Sequence, residues 1–174
     1  REYSAAELLG DPAEAEQYEG GSFAVVYLSP RDYHRVHAPV GGVVSRIRSM
    51  PGDLFPVNSI GERHVKSLFA VNRRVAIPID APSMLDGKGG RVTVVMVGAM
   101  IVGRITVIGV DERDVPIGDH NLAPPREIQR GDEIGIFHLG STAVVFSPRG
   151  APALDRATGR SEEHTSELQS LTNL

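Results

Sequence analysis

The chain of 174 residues contains no cysteine and no tryptophan, and aromatic residues make up only 5% of it. The absence of cysteine excludes disulfide bonds, thiolate catalysis and cysteine metal sites. With so few aromatic side chains, we expect a core built from Val, Ile and Leu, in a chain long enough for one domain. The net charge of -4 shows no basic excess, so the composition gives no indication of nucleic-acid binding.

Neither a starting Met nor a signal peptide is present, and we expect the natural protein to begin further upstream. The longest apolar stretch, residues 92–110, is nearly long enough to span a bilayer. However, Arg104 lies inside it, at a depth where charge is costly, and three glycines interrupt its β-branched residues. The stretch therefore predicts two buried strands rather than a membrane-spanning helix.

The last residues have a composition unlike the rest. Residues 160–170 read RSEEHTSELQS, which is the translation of a common sequencing-adapter oligonucleotide. We interpret residues 160–174 as a tail that does not belong to the natural protein, and predict it to be disordered or irregular. One domain is thus predicted over residues 1–159.

The N-terminal part is predicted to be helical, because apolar residues recur at three- and four-residue steps over residues 4–18. Asp11 followed by Pro12 is typical of an N-cap at the start of a second helix. Short apolar runs separated by turn residues follow. Predicted strands cover residues 23–28, 41–47, 74–79, 92–97, 100–102, 105–110, 133–137 and 142–146.

Two features refine this pattern. Pro78 inside a predicted strand indicates a sheet edge or a bulge. Residues 85–90 are a predicted hairpin loop, and residues 111–126 a polar loop with prolines. The predicted fold class is mainly β, a barrel- or sandwich-like structure of the barrel-sandwich hybrid type with a short N-terminal helical segment.

Small barrel-sandwich carriers present a modifiable lysine at a hairpin tip, commonly beside Met. Lys66 and Lys88 are the only lysines here, and neither has a Met next to it. A non-enzymatic carrier or interaction module is therefore the less favoured interpretation.

Ser141 lies in the segment Phe137-His138-Leu139-Gly140-Ser141-Thr142, between two apolar runs. Glycine at position 140 allows an unusual backbone turn, from which Ser141 Oγ could reach the preceding carbonyl. The same residues are also ordinary turn chemistry. The Gly-x-Ser-x-Gly elbow of serine hydrolases is absent.

A second polar cluster is LSPRDYHRVHAP, residues 28–39, with His34 and His37 beside two arginines, an aspartate and a tyrosine. Such a cluster can contain a general base, an anion site or a metal site. Residues three apart share a face only on a helix, and no third ligand is evident, so we predict no metal.

The two segments together, in this order, resemble the phosphatidylserine decarboxylase family. The similarity extends from about Ser22 to Gly150. It also includes PGDLFPVN (51–58), KSLFAVNRRV (66–75), VGAMIVG (97–103) and RGDEIGIFHLGST (130–142).

This resemblance implies a self-cleaving lyase. Ser141 Oγ would attack the carbonyl of Gly140, and the resulting ester would be eliminated, leaving a β chain ending at Gly140 and an α chain beginning with a pyruvoyl group derived from Ser141. This covalent cofactor would serve the decarboxylation of phosphatidylserine to phosphatidylethanolamine. His37 is implied as the base that activates Ser141, and His34 as the residue that assists decarboxylation.

The implied partners are phosphatidylserine in the membrane and the associated α and β chains, with no nucleic acid. The implied location is the surface of the bacterial cytoplasmic membrane. Formation of a homodimer is left open, as is a related pyruvoyl decarboxylase that acts on another serine-headed lipid or on a soluble serine derivative.

The family also uses an aspartate in a Pro-x-Asp-Gly segment upstream of the histidines. We expect that segment, and membrane-associating helices, to precede residue 1, and further strands to follow at the other end. Asp32 is not at the matching position. The 174-residue chain alone should therefore process itself inefficiently.

Overall fold

Two short helices begin the part of the chain described by the computed structural model, which covers residues 4–31, 33–57, 63–100 and 103–152 and the backbone of residues 167–170. Helix α1 (Ala5–Leu9) is capped by the Ser4 hydroxyl and followed by Gly10 at φ 67°. Helix α2 (Pro12–Glu16) is capped by the Asp11 carboxylate, which accepts hydrogen bonds from two backbone amides. The predicted N-cap at Asp11 is confirmed.

A large antiparallel sheet forms the centre of the molecule, with strand order β10-β1-β9-β5-β4-β3-β7. Its strands are β1 (Ser22–Leu28), β3 (Gly42–Met50), β4 (Arg74–Ala81), β5 (Gly90–Val97), β7 (Gly118–Ile128), β9 (Ser141–Ser147) and β10 (Glu167–Ser170). A second sheet, in the order β2-β8-β6, contains β2 (Arg35–His37), β6 (Ile105–Val107) and β8 (Glu133–Phe137). Two single helical turns, α3 (Leu68–Val71) and α4 (Met84–Gly87), lie in connections.

The large sheet is covered on both faces. On one face the Tyr18 ring packs 5.6 Å from the ring of Phe146 in β9, and its hydroxyl bonds Thr93 of β5 at 2.6 Å. On the other face β8 lies so close to β5 that a Cβ atom at Gly135 would stand 2.5 Å from the Met96 sulfur. Helices, large sheet and small sheet thus form layers, and the predicted mainly-β, sandwich-like fold class is confirmed.

A buried carboxylate fastens the helical layer to the sheet. Glu14 in α2 is only 6% exposed. It accepts hydrogen bonds from Tyr18 at 3.2 Å, Thr93 at 3.1 Å and Arg91 at 2.8 Å. Burial raises the pKa of Tyr18, so its hydroxyl stays protonated and donates.

Both strands predicted within residues 92–110 are present, as β5 and β6. Strand β5 is buried along its last six residues because it lies in the middle of the large sheet and is covered on both faces. Strand β6 ends at Val107, earlier than predicted. Of the predicted strand 100–102, Met100 lies in a turn and residues 101–102 are outside the described ranges. No helix in the described ranges has the length and hydropathy needed to cross a membrane.

The predicted loop over residues 111–126 is wrong in its second half, because residues 118–128 form strand β7. Among the described strands it pairs only with β3, at the edge of the large sheet, and it is exposed at most positions. Polar residues and prolines are typical of loops, but edge strands carry them as well.

Pro78 shows how sheet position affects such predictions. Strand β4 pairs on both sides, so the edge interpretation is wrong. The register between β3 and β4 shifts by one residue between the pairs Val43–Asp80 and Arg48–Ala76, with the extra residue in β3 opposite the segment that contains Pro78.

Candidate active site

Two chain crossings between the sheets run side by side at one end of the molecule. Residues 28–34 lead from β1 to β2, and residues 138–141 lead from β8 to β9. Leu28 pairs with Ser141 in the large sheet, and the Phe137 amide donates to the His34 carbonyl at 3.0 Å in the small one. We call these two segments the crossing site. They contain the two motifs that are widely separated in the sequence.

Ser141 is the first residue of β9 and is fully buried. Its Oγ donates a hydrogen bond to the carbonyl oxygen of Val97, the last residue of β5. Because side chains alternate along a strand and Phe146 faces the helices, Ser141 faces the small sheet. The hydroxyl is therefore fixed in a dry position beside the peptide bond that precedes it.

Position 140 requires glycine because the backbone of residues 28–30, in the neighbouring crossing, passes close to it. A Cβ atom at this position would lie 2.5 Å from the Pro30 nitrogen and 2.6 Å from the Leu28 carbonyl oxygen. Real Cβ contacts are never so short, and both neighbours are backbone atoms that cannot rotate away. Only glycine lets the Gly140–Ser141 peptide pass here.

His34 lies beside this peptide. Its Nε2 donates to the Ser29 carbonyl oxygen at 3.0 Å, and the Ser29 carbonyl carbon is 2.6 Å from the ideal Cβ position of Gly140. The bond to a carbonyl places the proton of the neutral ring on Nε2. The ring is half-buried and belongs to the crossing site.

His37 lies elsewhere. Strand β2 exposes Arg35 and His37 and buries Val36, so His37 is on the outer face of the small sheet. Its Nδ1 donates to the Gly131 carbonyl at 2.7 Å, and its Nε2 accepts from the Tyr33 hydroxyl at 2.8 Å. The two rings are stacked with centroids 5.6 Å apart.

The structure therefore places His34 on the crossing next to the Gly140–Ser141 junction, through the Ser29 carbonyl, and engages His37 in other contacts. The histidines are three positions apart along an extended segment, which corresponds to about 10 Å. Both ring nitrogens of His37 are engaged away from Ser141. The activation of Ser141 by His37 stays a prediction, as do the other site roles. Asp32 lies outside the described residues.

Asn72 is a site residue that the sequence did not single out. It is fully buried, and its Nδ2 donates to the carbonyl oxygens of Phe55 at 2.8 Å and Gly98 at 2.9 Å, while its Oδ1 accepts from the Phe55 amide at 3.1 Å. Gly98 directly follows Val97, the acceptor of the Ser141 hydroxyl. An amide inside the apolar run Phe69-Ala70-Val71-Asn72 was the available signal.

His138 lies on the approach to Gly140. Its Nε2 donates to the Thr106 hydroxyl at 2.8 Å, because that hydroxyl itself donates to the Arg113 carbonyl at 2.6 Å. Partial desolvation of this largely exposed ring, and then the charges of Arg113 and Arg104, lower the pKa of His138 below its ordinary value. The folded structure therefore favours the neutral form of this ring.

The surroundings of position 141 fit a small carbonyl group made from the serine itself. The position is buried, and β9 is held on one side by β1 and on the other by β5. The next residue, Thr142, has a buried hydroxyl with no hydrogen-bond partner among the described residues. It faces the helical layer, opposite to Ser141.

Comparison with known proteins agrees with these motifs. The family model described as phosphatidylserine decarboxylase matches residues 1–164. Over 156 residues the chain is 46% identical to the phosphatidylserine decarboxylase proenzyme of Saccharophagus degradans, covering 86% of the chain and 52% of that protein. The proenzyme of Psychrobacter arcticus is 39% identical over 173 residues, covering 97% of the chain and 58% of that protein.

A third relative, the phosphatidylserine decarboxylase proenzyme of Anaeromyxobacter sp., is 38% identical over 162 residues, which cover 88% of the chain and 55% of that protein. The chain thus spans little more than half the length of the curated relatives that it matches. The family model covers nearly all of the chain, and the chain belongs to the phosphatidylserine decarboxylase family.

Proposed function

We propose that the protein carrying this chain is a pyruvoyl-dependent carboxy-lyase that converts phosphatidylserine to phosphatidylethanolamine. It first cleaves itself between Gly140 and Ser141. The observation that carries this proposal is the buried Gly140–Ser141 junction, with its glycine enclosed by residues 28–30 and its hydroxyl fixed on Val97. Family membership supports it independently.

Self-cleavage uses atoms of the chain alone. Ser141 Oγ attacks the Gly140 carbonyl carbon, so a C–O bond forms as the C–N bond breaks, and an ester results. Loss of the α proton of residue 141 then breaks the Cβ–Oγ bond and releases Gly140 as a carboxylate. The unsaturated residue left at 141 takes up water and loses ammonia, which leaves a pyruvoyl group at the new N-terminus.

The dry setting of Ser141 supports this route, because excluded water cannot hydrolyse the ester before elimination. A pyruvoyl group at position 141 would supply an electrophilic carbonyl for the substrate amine and an electron sink for decarboxylation. The chain's own contribution is to hold position 141 rigidly and to move protons near it.

The two histidines are the candidates for proton transfer, because histidine is the most common general acid or base in enzymes. His37 is proposed as the base that activates Ser141, and His34 as the residue that assists decarboxylation near the substrate carboxylate. The position of His34 beside Gly140 supports its part. For His37 to act, its Nε2 must exchange the Tyr33 hydroxyl for Ser141.

After cleavage the α and β chains remain associated. Strand β9 then begins the α chain, and it stays paired with β1 over residues 22–28 and with β5 over residues 93–97. These backbone hydrogen bonds are independent of the broken peptide. The substrate is a membrane lipid, so the enzyme acts at the surface of the bacterial cytoplasmic membrane.

The test uses the full-length protein with this sequence. Intact-mass analysis should show two chains that divide between Gly140 and Ser141, the second with a blocked N-terminus. Incubation with defined lipids should yield phosphatidylethanolamine from phosphatidylserine. A single uncleaved chain, or cleavage at another bond, refutes the proposal. Faster conversion of a different serine-headed lipid or of a soluble serine derivative would identify that compound, rather than phosphatidylserine, as the substrate.

A further inference from the structure

One buried side-chain amide joins two backbone segments next to the serine proposed to react. Asn72 lies between α3 and β4 and is fully buried. A polar group in the interior is costly unless its hydrogen bonds are made. The Asn72 nitrogen makes two hydrogen bonds and its oxygen makes one, all of them to backbone groups. The side chain therefore holds backbone in place.

The first segment that Asn72 holds contains Phe55. The Asn72 oxygen accepts from the Phe55 amide at 3.1 Å, and the nitrogen donates to the Phe55 carbonyl at 2.8 Å. Nearby, the Asp53 amide donates to the Val71 carbonyl at 2.9 Å, and the Arg73 amide donates to the Asp53 carbonyl at 2.8 Å. The side chain thus extends a short parallel bridge between positions 53 and 72.

The second segment is the end of β5. The Asn72 nitrogen donates to the Gly98 carbonyl at 2.9 Å, and the Gly98 amide donates to the Arg73 carbonyl at 2.7 Å. The Gly98 amide and the Val97 carbonyl belong to one planar peptide group. That carbonyl accepts the Ser141 hydroxyl. The acceptor of the serine is therefore oriented by hydrogen bonds from residues 72 and 73.

The surroundings of Asn72 are dry. Val57, Val97 and Ala99 lie beside the joined segments and are buried. Removing the amide would leave the carbonyls of Phe55 and Gly98 without this partner in an apolar setting, where a lost hydrogen bond is expensive. These backbone groups would then move toward other partners, and the Val97–Gly98 peptide would move with them.

We propose that Asn72 is a positioning residue for self-cleavage, which fixes the Ser141 hydroxyl for its attack on Gly140 by holding the Val97–Gly98 peptide. The inference rests on the proposed function. Asn72 does not contact the reacting atoms and transfers no proton. Its contribution is orientation, and a displacement of about 1 Å in a reacting group can slow a reaction about a hundredfold.

The experiment times self-cleavage of the full-length protein, made by cell-free translation, with intact-mass analysis. Asn72→Ala should slow cleavage by about a hundredfold. Asn72→Ser, which keeps one hydroxyl group at the site, should slow it less. Thr93→Val is the matched control, because Thr93 is fully buried in the same strand as Val97 and its hydroxyl bonds Tyr18 at 2.6 Å. This variant should cleave at nearly the parent rate.

A second measurement identifies the step that is slowed. Uncleaved protein is unfolded in hydroxylamine, which converts an ester of Gly140 to a hydroxamate and frees Ser141 as an N-terminal serine, but leaves the peptide bond intact. Uncleaved Asn72→Ala should give no hydroxamate, because its serine has not attacked. A role in stability alone predicts no block that is specific to this step.

Parent-like cleavage rates in both Asn72 variants overturn the inference, and so does equal slowing in Thr93→Val. A hydroxamate from uncleaved Asn72→Ala also overturns it, because the attack has then occurred and only elimination is slow. Failure of both Asn72 variants to fold shows a structural role alone and likewise overturns it. In each of these cases, cleavage of the parent between Gly140 and Ser141 still supports the proposed function, whereas an uncleaved parent refutes that function.

Discussion

The crossing site and the outer face of the small sheet contain the two halves of the predicted chemistry, and they hold their residues differently. At the crossing site, Gly140 is confined by backbone atoms of residues 28–30, and Ser141 is buried at the start of a strand paired on both sides. On the outer face, His37 is exposed and is held by one carbonyl and one tyrosine hydroxyl.

The two regions differ in the free energy needed to move their residues. Displacing Gly140 would break strand pairing and force backbone atoms together. Releasing the His37 ring costs only two hydrogen bonds in water-exposed surroundings, each worth about 1 kcal/mol. The bond proposed for cleavage is thus placed by the fold, whereas the proposed base is placed by side-chain contacts that can be exchanged.

The largest expected effect is at the serine. Ser141→Ala removes the attacking oxygen, so cleavage of the full-length protein should stop completely, with no decarboxylation. Ser147→Ala is the matched control, since Ser147 is a buried serine at the other end of the same strand. Intact-mass analysis measures both. Unchanged cleavage in Ser141→Ala would refute the assignment of the crossing site.

The next effect tests whether the backbone sets the position of the cleaved bond. Gly140→Ala places a methyl group against Leu28 and Pro30, so we expect a loss of about 1–3 kcal/mol in the free energy of unfolding, together with strongly slowed cleavage. Gly41→Ala is the control, because its Cβ atom would meet nothing closer than 3.5 Å. Equal behaviour of the two variants in urea unfolding and in cleavage would remove the steric argument.

The histidines sharpen the comparison directly. His37→Ala should block self-cleavage, since Ser141 loses its proposed base. His34→Ala should still cleave but decarboxylate more slowly, by roughly a hundredfold or more. Mass analysis and product assays separate the two steps. If His34→Ala blocks cleavage instead and His37→Ala does not, the base is the histidine that the structure places beside Gly140.

The smallest effect concerns His138. Its pKa is lowered in the folded protein, so folding favours the neutral ring. This contribution to stability is complete above the unfolded-state pKa of about 6.5 and is lost as the pH falls through the folded-state pKa. Melting curves should show the parent losing roughly 1 °C more than His138→Gln on acidification, since the ring is exposed. A larger drop in melting temperature for His138→Gln than for the parent would contradict this prediction.

Predictions from the sequence succeeded where a residue pattern is typical of a single kind of local structure. The cap at Asp11 and the apolar runs that became β1, β5, β8 and β9 were predictable, because capping geometry and burial act locally. Strand β7 was missed because exposure at a sheet edge produces the same composition as a loop. The tail illustrates another limit: residues 167–170 form β10 and pair with β1, but the origin of this segment stays a prediction.

The sequence by itself determined the family, the β-rich architecture and the Gly140–Ser141 junction, since each depends on residue type and order. Only the tertiary structure decided which histidine lies beside that junction. Alternation along an extended segment puts His34 and His37 on opposite sides, and the pairing of β2 with β8 then brings one of them to Gly140. The role of Asn72 was likewise decided by folding, because the backbone groups that it joins are distant in sequence and meet only when the sheets pack.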